Sequence, residues 1–191
     1  APQGPVFISV PMEYLFARMS KNPPSGHVPA PAPTADRKGI EALAEMLAKA
    51  KNPLIVTEEA GRSTAIVERL VEVAETLAAP VVETNRAACL NFPRHHFLHG
   101  GYDPEEYLQE ADVILLLGAV APWHPASKAL RPGARVAVLD ENPLRATLPY
   151  WGFKVDLILA GDVESSLENL LPCLKTRMSK RGNELPQRRE K

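Results

Sequence analysis

Cysteine is scarce in this chain: Cys89 and Cys173 are the only two among 191 residues, and they stand in no CxxC spacing. Neither a disulfide framework nor a zinc ribbon is therefore available. No apolar run approaches the ~18 residues that a membrane helix needs, so no membrane partner is expected. Charge of one sign is missing as well, with 22 Lys and Arg against 23 Asp and Glu and a formal net charge of −1. Phosphate neutralisation requires a clear cationic excess, which argues against nucleic acid as the main partner. Three catalytic or binding signatures are also absent: GxGxxG, HExxH and GxSxG.

What is present is enough apolar material for a core, 45% of the residues by count, in a length suited to one domain with appendages. Proline is abundant, 19 residues of 191, about twice the usual ~5%. Eight of these prolines fall within the first 33 residues, which suggests parts with different jobs.

Along the chain, residues 4–11 (GPVFISVP) read as a short strand that needs a sheet to join. Residues 20–35 are Pro-rich, offer little to bury and read as an extended linker. After the N-cap Asp36, residues Ile40, Leu43, Leu47 and Ala50 make one helical face. Leu54–Val56 is a continuously apolar strand, and Thr57–Gly61 turns into a helix capped by Ser63 with Ile66, Leu70, Val73 and Leu77 inward. Val81-Val82 begins the next strand, completing a βαβ unit. Residues 84–101 show no period. Asp103-Pro104-Glu105-Glu106 starts a helix. Val113–Leu117, the most apolar run, reads as a central strand buried on both faces. Arg135–Leu139 and Val155–Ala160 are two further strands. Asp162 caps a last helix with Val163, Leu167, Leu170 and Leu174 inward, which Pro172 is expected to kink or end. The predicted fold is α/β: a doubly wound, mainly parallel, Rossmann-like sheet with helices on both faces, over residues 36–174. Residues 175–191 hold seven Lys or Arg against two Glu and read as a basic, disordered tail.

In an open parallel sheet, ligands bind beyond the carboxyl ends of the strands. The candidate residues there are Thr57, Gly61, Arg62, Gly118 and Asp140. A pyrophosphate would need glycines at the first turn to approach backbone N–H groups. Here Glu58 and Glu59 oppose its charge, and Gly61 alone permits close approach. Asp140 could accept a ribose hydroxyl. His95, His96, His99 and His124 could suggest a metal, but the flanking Phe92, Pro93, Phe97 and Leu98 favour a packed loop over a zinc site. Cys89 reads as a small buried thiol without a partnered base. Trp123 and Trp151 could stack on an adenine or pack against a neighbour. No complete catalytic set is present.

Several strings taken in order carry a resemblance. Gly4–Pro11 resembles the closing strand of the pyrimidine-binding domain of thiamine-diphosphate-dependent enzymes. Lys51–Val56, Leu77–Val81, Ala111–Gly118, Val138–Pro143 and Asp156–Asp162 are similar to successive landmarks of their central domain, in acetolactate-synthase-like members above all. The resemblance spans residues 1–174. It implies a parent enzyme, a transferase or lyase that makes or breaks a carbon–carbon bond next to a carbonyl, acting on 2-oxo acids or related substrates. Thiamine diphosphate and Mg²⁺ would be its cofactors, with their ligands outside this chain. The pyrimidine-binding and pyrophosphate-binding domains of the same polypeptide would be its partners, in a cytoplasmic homo-oligomer. On this reading residues 1–19 close the preceding domain, 20–35 link, 36–174 form the central domain and 175–191 form the tail. Gly161-Asp162-Val163 is not the diphosphate motif, because Val163 replaces its second glycine. Some relatives bind FAD or ADP in the central domain. The turn Thr57–Gly61 and the loop Gly118–His124 depart from the FAD pattern, and no tight FAD binding is expected. Two other readings stay open at this level: a free-standing NAD/FAD/ADP-binding module of the deoxyhypusine-synthase-like fold group, and an interaction module that uses the basic tail.

Overall fold

The computed structural model describes residues 7–18, 26, 33–84, 89–145, 148 and 152–180, and the chain divides into two units, 1–32 and 33–191. Among its described residues the first unit carries one short helix, α1 (Met12–Phe16), with no buried residue. Residues 7–10 form no strand, and Phe7 and Ile8 are exposed. The expected opening strand is thus not seen in its described part. A strand needs a neighbouring backbone to satisfy its N–H and C=O groups, and none pairs with it among the described residues. Residues 4–6, most of the linker, Arg86, Trp151 and residues 181–191 lie outside the described residues.

The second unit begins with α2 (Arg37–Lys49), whose first turn is capped as expected: the Asp36 carboxylate accepts the Gly39 N–H at 3.0 Å. Then follow β1 (Pro53–Thr57), a 3₁₀ turn (Ala60–Arg62), α3 (Thr64–Leu77), β2 (Val81–Glu83), α4 (Glu105–Leu108), β3 (Val113–Leu117), β4 (Arg135–Asp140), β5 (Leu157–Ala160) and α5 (Val163–Ser179). The five strands lie in the order β2-β1-β3-β4-β5, and every pair is parallel. Between β1 and β3 the winding reverses direction. That is the topological switch point, where a crevice opens above the carboxyl ends.

Carboxylates set the register at the opposite, amino edge. Asp112 accepts the N–H groups of Lys51 and Asn52 at 2.7 and 2.9 Å, tying β1 to β3. Asp156 accepts the Val136 N–H at 2.8 Å in the same manner between β4 and β5. The outer edge of β2 is covered by residues 98–101, with Val81 N–H on the Leu98 carbonyl and Gly100 N–H on the Val81 carbonyl.

Alternation along the strands sends residues to two layers. Ile55, Leu115, Leu117, Ala137, Leu139 and Leu159 face α2, α3 and α5 in one cluster. Leu54, Val56, Ile114, Leu116, Val136 and Val138 form the other with Leu108, Ala111, Ala119 and Trp123. One sheet face therefore carries three long helices. The other carries the short α4 and irregular chain, because the β3–β4 connection (118–134) forms no helix.

Helix α5 runs through Pro172 and reaches Ser179, so residues 175–179, expected in the tail, are helical. Leu174 and Met178 are buried, each worth about 1.5–3 kcal/mol. Together they offset the ~3 kcal/mol that an internal proline costs. Lys175 also bonds Glu72 of α3 at 3.0 Å, and that hydrogen bond holds the Glu72 carboxyl below the usual carboxylate range. Two outcomes are expected in urea unfolding. Leu115→Ala, at the fully buried centre of β3, costs about 2–5 kcal/mol, whereas Lys175→Ala, removing a surface pair, costs less than about 1 kcal/mol.

Candidate functional site

The crevice at the switch point is floored by the carboxyl ends of β1 and β3 and flanked by those of β2 and β4. Gly118 leaves β3 with φ +57°, a left-handed turn that favours glycine, and its carbonyl accepts the Glu59 N–H at 3.0 Å. After this turn the N–H groups of Val120 and Ala121 converge on one oxygen. Glu58 Oε2 accepts from Val120 N–H at 2.9 Å and from Ala121 N–H at 3.1 Å, with Thr84 Oγ1 at 3.5 Å. Paired backbone N–H groups at such a turn make an anion-binding concavity, and a side chain of the protein itself fills this one.

Beside it, a buried cluster closes the first turn. Asn91, fully buried, accepts the Gly61 N–H at 2.8 Å and donates to the Glu58 carbonyl at 3.0 Å. Its own N–H and side-chain amide both reach Glu83 Oε2, at 3.0 and 3.2 Å, while Glu83 Oε1 faces His99 Nε2 at 3.0 Å. Glu83 is 2% exposed, and these donors compensate the cost of burying its carboxylate. The loop bearing Asn91 lies so close that a Cβ on Gly61 would fall 1.9 Å from the Leu90 carbonyl oxygen. At Gly61 the close approach is thus made by the protein's own backbone.

The remaining candidates join into one chain of charges. Arg62 pairs with Glu59 at 3.0 Å, Glu59 lies 3.9 Å from Arg145, and Arg145 meets Asp140 at 2.5 Å. The other Asp140 oxygen accepts the Asn142 N–H at 2.7 Å, so its carboxylate is engaged on both sides. Arg145 itself has φ +42°, a strained conformation for a non-glycine residue. Thr57 is fully buried, and its hydroxyl has no partner among the described residues. Four of the five predicted residues, Gly61, Arg62, Gly118 and Asp140, are thus linked through Glu59, Arg145 or the Asn91 cluster, and Thr57 lies beneath them. Asn91, Glu83 and Arg145 were not foreseen. Asn91 sits in an aperiodic stretch that carried no signal, and Arg145 follows a strand end by five residues with no motif.

The histidines serve separate contacts. His96 reaches Glu75 on α3 at 3.2 Å and stacks on Phe97, His99 faces Glu83, and His95 and His124 are exposed. Among the described residues no group of three His, Cys, Asp or Glu side chains is placed to hold a metal ion. Cys89 lies 3.7 Å from Asn91 Oδ1. Burial pushes its thiol above the ordinary range, and nearby Arg62 only partly counters this. Trp123 is buried and packs edge-to-face on Phe153 at 5.3 Å.

The fold is that of a Rossmann-like α/β domain whose carboxyl-edge loops are bonded to one another. Residues 40–170 match the model of the thiamine pyrophosphate enzyme central domain, and the chain belongs to that family. It is 28% identical over 166 residues to human 2-hydroxyacyl-CoA lyase 2, covering 84% of this chain and 26% of that protein. Oxalyl-CoA decarboxylase of Escherichia coli K12 is 26% identical over 181 residues, covering 90% of this chain and 31% of its own. In fold, the chain is similar to benzoylformate decarboxylase from Polynucleobacter necessarius, with TM-score 0.70 at 22% identity over 82% of this chain and 30% of that one. The chain thus spans less than a third of the length of these relatives.

Two outcomes test this loop cluster. Gly61→Ala must displace the Leu90 carbonyl and is expected to cost more than about 2 kcal/mol in thermal unfolding. In a Cys173→Ser background, Cys89 is expected to react with iodoacetamide at pH 7.5 several-fold more slowly than a free thiol of pKa ~8.5.

Proposed function

We propose that this chain is the middle domain of a thiamine-diphosphate-dependent enzyme that breaks or makes a carbon–carbon bond next to the carbonyl of a 2-oxo acid or related substrate. The pyrimidine-binding and pyrophosphate-binding domains, with thiamine diphosphate and Mg²⁺ between them, lie elsewhere on the polypeptide, which works as a cytoplasmic homo-oligomer. Residues 1–19 close the preceding domain, 20–35 link and 36–174 form the scaffold. The family match supports this reading, and so do relatives named as lyase and decarboxylase.

The residues here do not fit the diphosphate and its metal. Asp162, the acid of the Gly161-Asp162-Val163 turn, spends its carboxylate on the Ser165 N–H at 2.8 Å as the cap of α5, and Val163 is already helical. The domain's own contribution is structural, with a vestigial nucleotide site around Thr57, Gly61, Arg62, Gly118 and Asp140. The observation that carries this is Glu58 seated on the Val120 and Ala121 N–H groups. A phosphate oxygen would compete for those donors and meet a like charge.

Calorimetric titration of the chain with FAD, ADP, NAD and CoA is expected to show no binding tighter than about 100 μM. A submicromolar Kd for FAD would overturn the scaffold role. Glu58→Ala frees both N–H groups and is expected to raise ADP affinity by about tenfold, or ~1.4 kcal/mol. The complete polypeptide, supplied with thiamine diphosphate and Mg²⁺, is expected to release CO₂ or an aldehyde from a 2-oxo acid or 2-hydroxyacyl substrate; inertness toward both classes sinks the assigned reaction.

A further inference from the structure

The turn Gly161-Asp162 follows β5, and the crevice makes no use of it. Its two backbone N–H groups go to different neighbours. Gly161 donates to the Asp140 carbonyl at 3.0 Å, which holds the turn to the end of β4, and Asp162 donates to the Pro33 carbonyl at 2.7 Å. The second bond stands out for its position. Asp162 is the N-cap of α5, and the first N–H groups of a helix have no acceptor inside it. Asp36, the N-cap of α2, shows the ordinary case, with no acceptor for its N–H among the described residues.

The same stretch of chain closes the space at Gly161. A Cβ built there would fall 2.4 Å from the Ala35 backbone nitrogen and 2.8 Å from its Cα, closer than real Cβ contacts come. Gly161 is not among the residues of positive φ, so other residues could adopt its backbone conformation. Room for a side chain is what it lacks. Ala35 is buried, while Pro33 and Thr34 are exposed. Asp36 then caps α2 through the Gly39 N–H, and a Cβ on Gly39 would meet the Leu159 side chain at 3.2 Å. Residues 33–36 therefore run beside residues 159–162 and are held before their own helix begins.

We infer that the Gly161-Asp162 turn is a seat for the incoming chain, which fixes Pro33, Thr34 and Ala35 at the carboxyl end of β5 and sets the point from which everything upstream is tethered. Without the seat the first fixed residue would be the cap Asp36. The tether would then gain Pro33, Thr34 and Ala35, about 10 Å of reach. Proline suits its place, because its ring presets φ and it has no N–H to satisfy, while its carbonyl still accepts. Gly161 and Asp162 are thus positioning residues for the chain that precedes residue 33. The seat itself is independent of the thiamine-enzyme reading. Its effect on turnover rests on that reading, in which the pyrimidine-binding domain lies upstream.

Amide hydrogen exchange of the 191-residue chain reads the seat directly. Relative to intrinsic rates, the Asp162 N–H is expected to exchange at least about tenfold more slowly than the Asp36 N–H. In Gly161→Ala that difference is expected to vanish, while the Leu115 amide of β3 stays protected. Equal exchange at Asp162 and Asp36 in the unaltered chain overturns the seat, and so does full protection of Asp162 in Gly161→Ala. Should Gly161→Ala fail to fold by circular dichroism, the comparison within the unaltered chain decides. In the complete polypeptide, Gly161→Ala is expected to lower kcat several-fold with KM unchanged. An unchanged kcat alongside lost Asp162 protection overturns the positioning role. A complete polypeptide without turnover counts against the thiamine-enzyme reading alone, and the exchange result still decides the seat.

Discussion

Strand β3 is fully paired to β1 on one side and to β4 on the other, and all five of its residues are buried. A parallel sheet can exist only when both faces are covered, because its connections must cross over it and its strands have no solvent face. Everything else in the second unit answers that requirement. Helices α2, α3 and α5 close one face, and α5 has to pass through Pro172 to complete the cover. Shorter and less regular chain closes the other face. The carboxylates of Asp112 and Asp156 anchor the amino edge, which leaves the carboxyl edge as the place where loops can converge.

Those loops converge on each other. The 3₁₀ turn after β1, the Asn91 loop after β2 and the turn at Gly118 after β3 share hydrogen bonds that engage their backbone N–H groups with one another. Glu58 supplies the anion, Asn91 takes the Gly61 N–H, Leu90 fills the space beside Gly61, and Arg145 neutralises Asp140. The same geometry that binds dinucleotides in open α/β sheets is here spent on holding three loops together. Among the described residues these bonds tie the three loops into one unit at the carboxyl edge.

The two sheet faces differ in a way that matters for the molecule's surface. Three helices meet in continuous contact on one face, with Glu72 of α3 held by Arg69 and by Lys175 of α5. On the other, the connection 118–134 forms no helix and holds Trp123 buried, its indole N–H without an acceptor among the described residues.

Local pattern alone determined much of this protein. The apolar runs of Leu54–Val56 and Val113–Leu117, the caps at Asp36 and Asp162 and the punctuating Pro53 and Pro80 dictated strand, helix and turn, because burial period and capping chemistry act over a few residues. The glutamates of the first turn were legible as two carboxylates where a phosphate-binding turn carries glycine. Their positions could not show that Glu58 takes the Val120 and Ala121 N–H groups, since these lie some sixty residues away and only the β1–β3 pairing brings them together. Asn91 and Arg145 were invisible for the same reason, as their partners are set by three-dimensional proximity. The strand expected at residues 4–11, described only from residue 7, shows the opposite limit: β-pattern without a neighbouring strand among the described residues leaves backbone hydrogen bonds unmade. Helix α5 outran its proline because burial of Leu174 and Met178, a tertiary quantity, outweighed a local penalty.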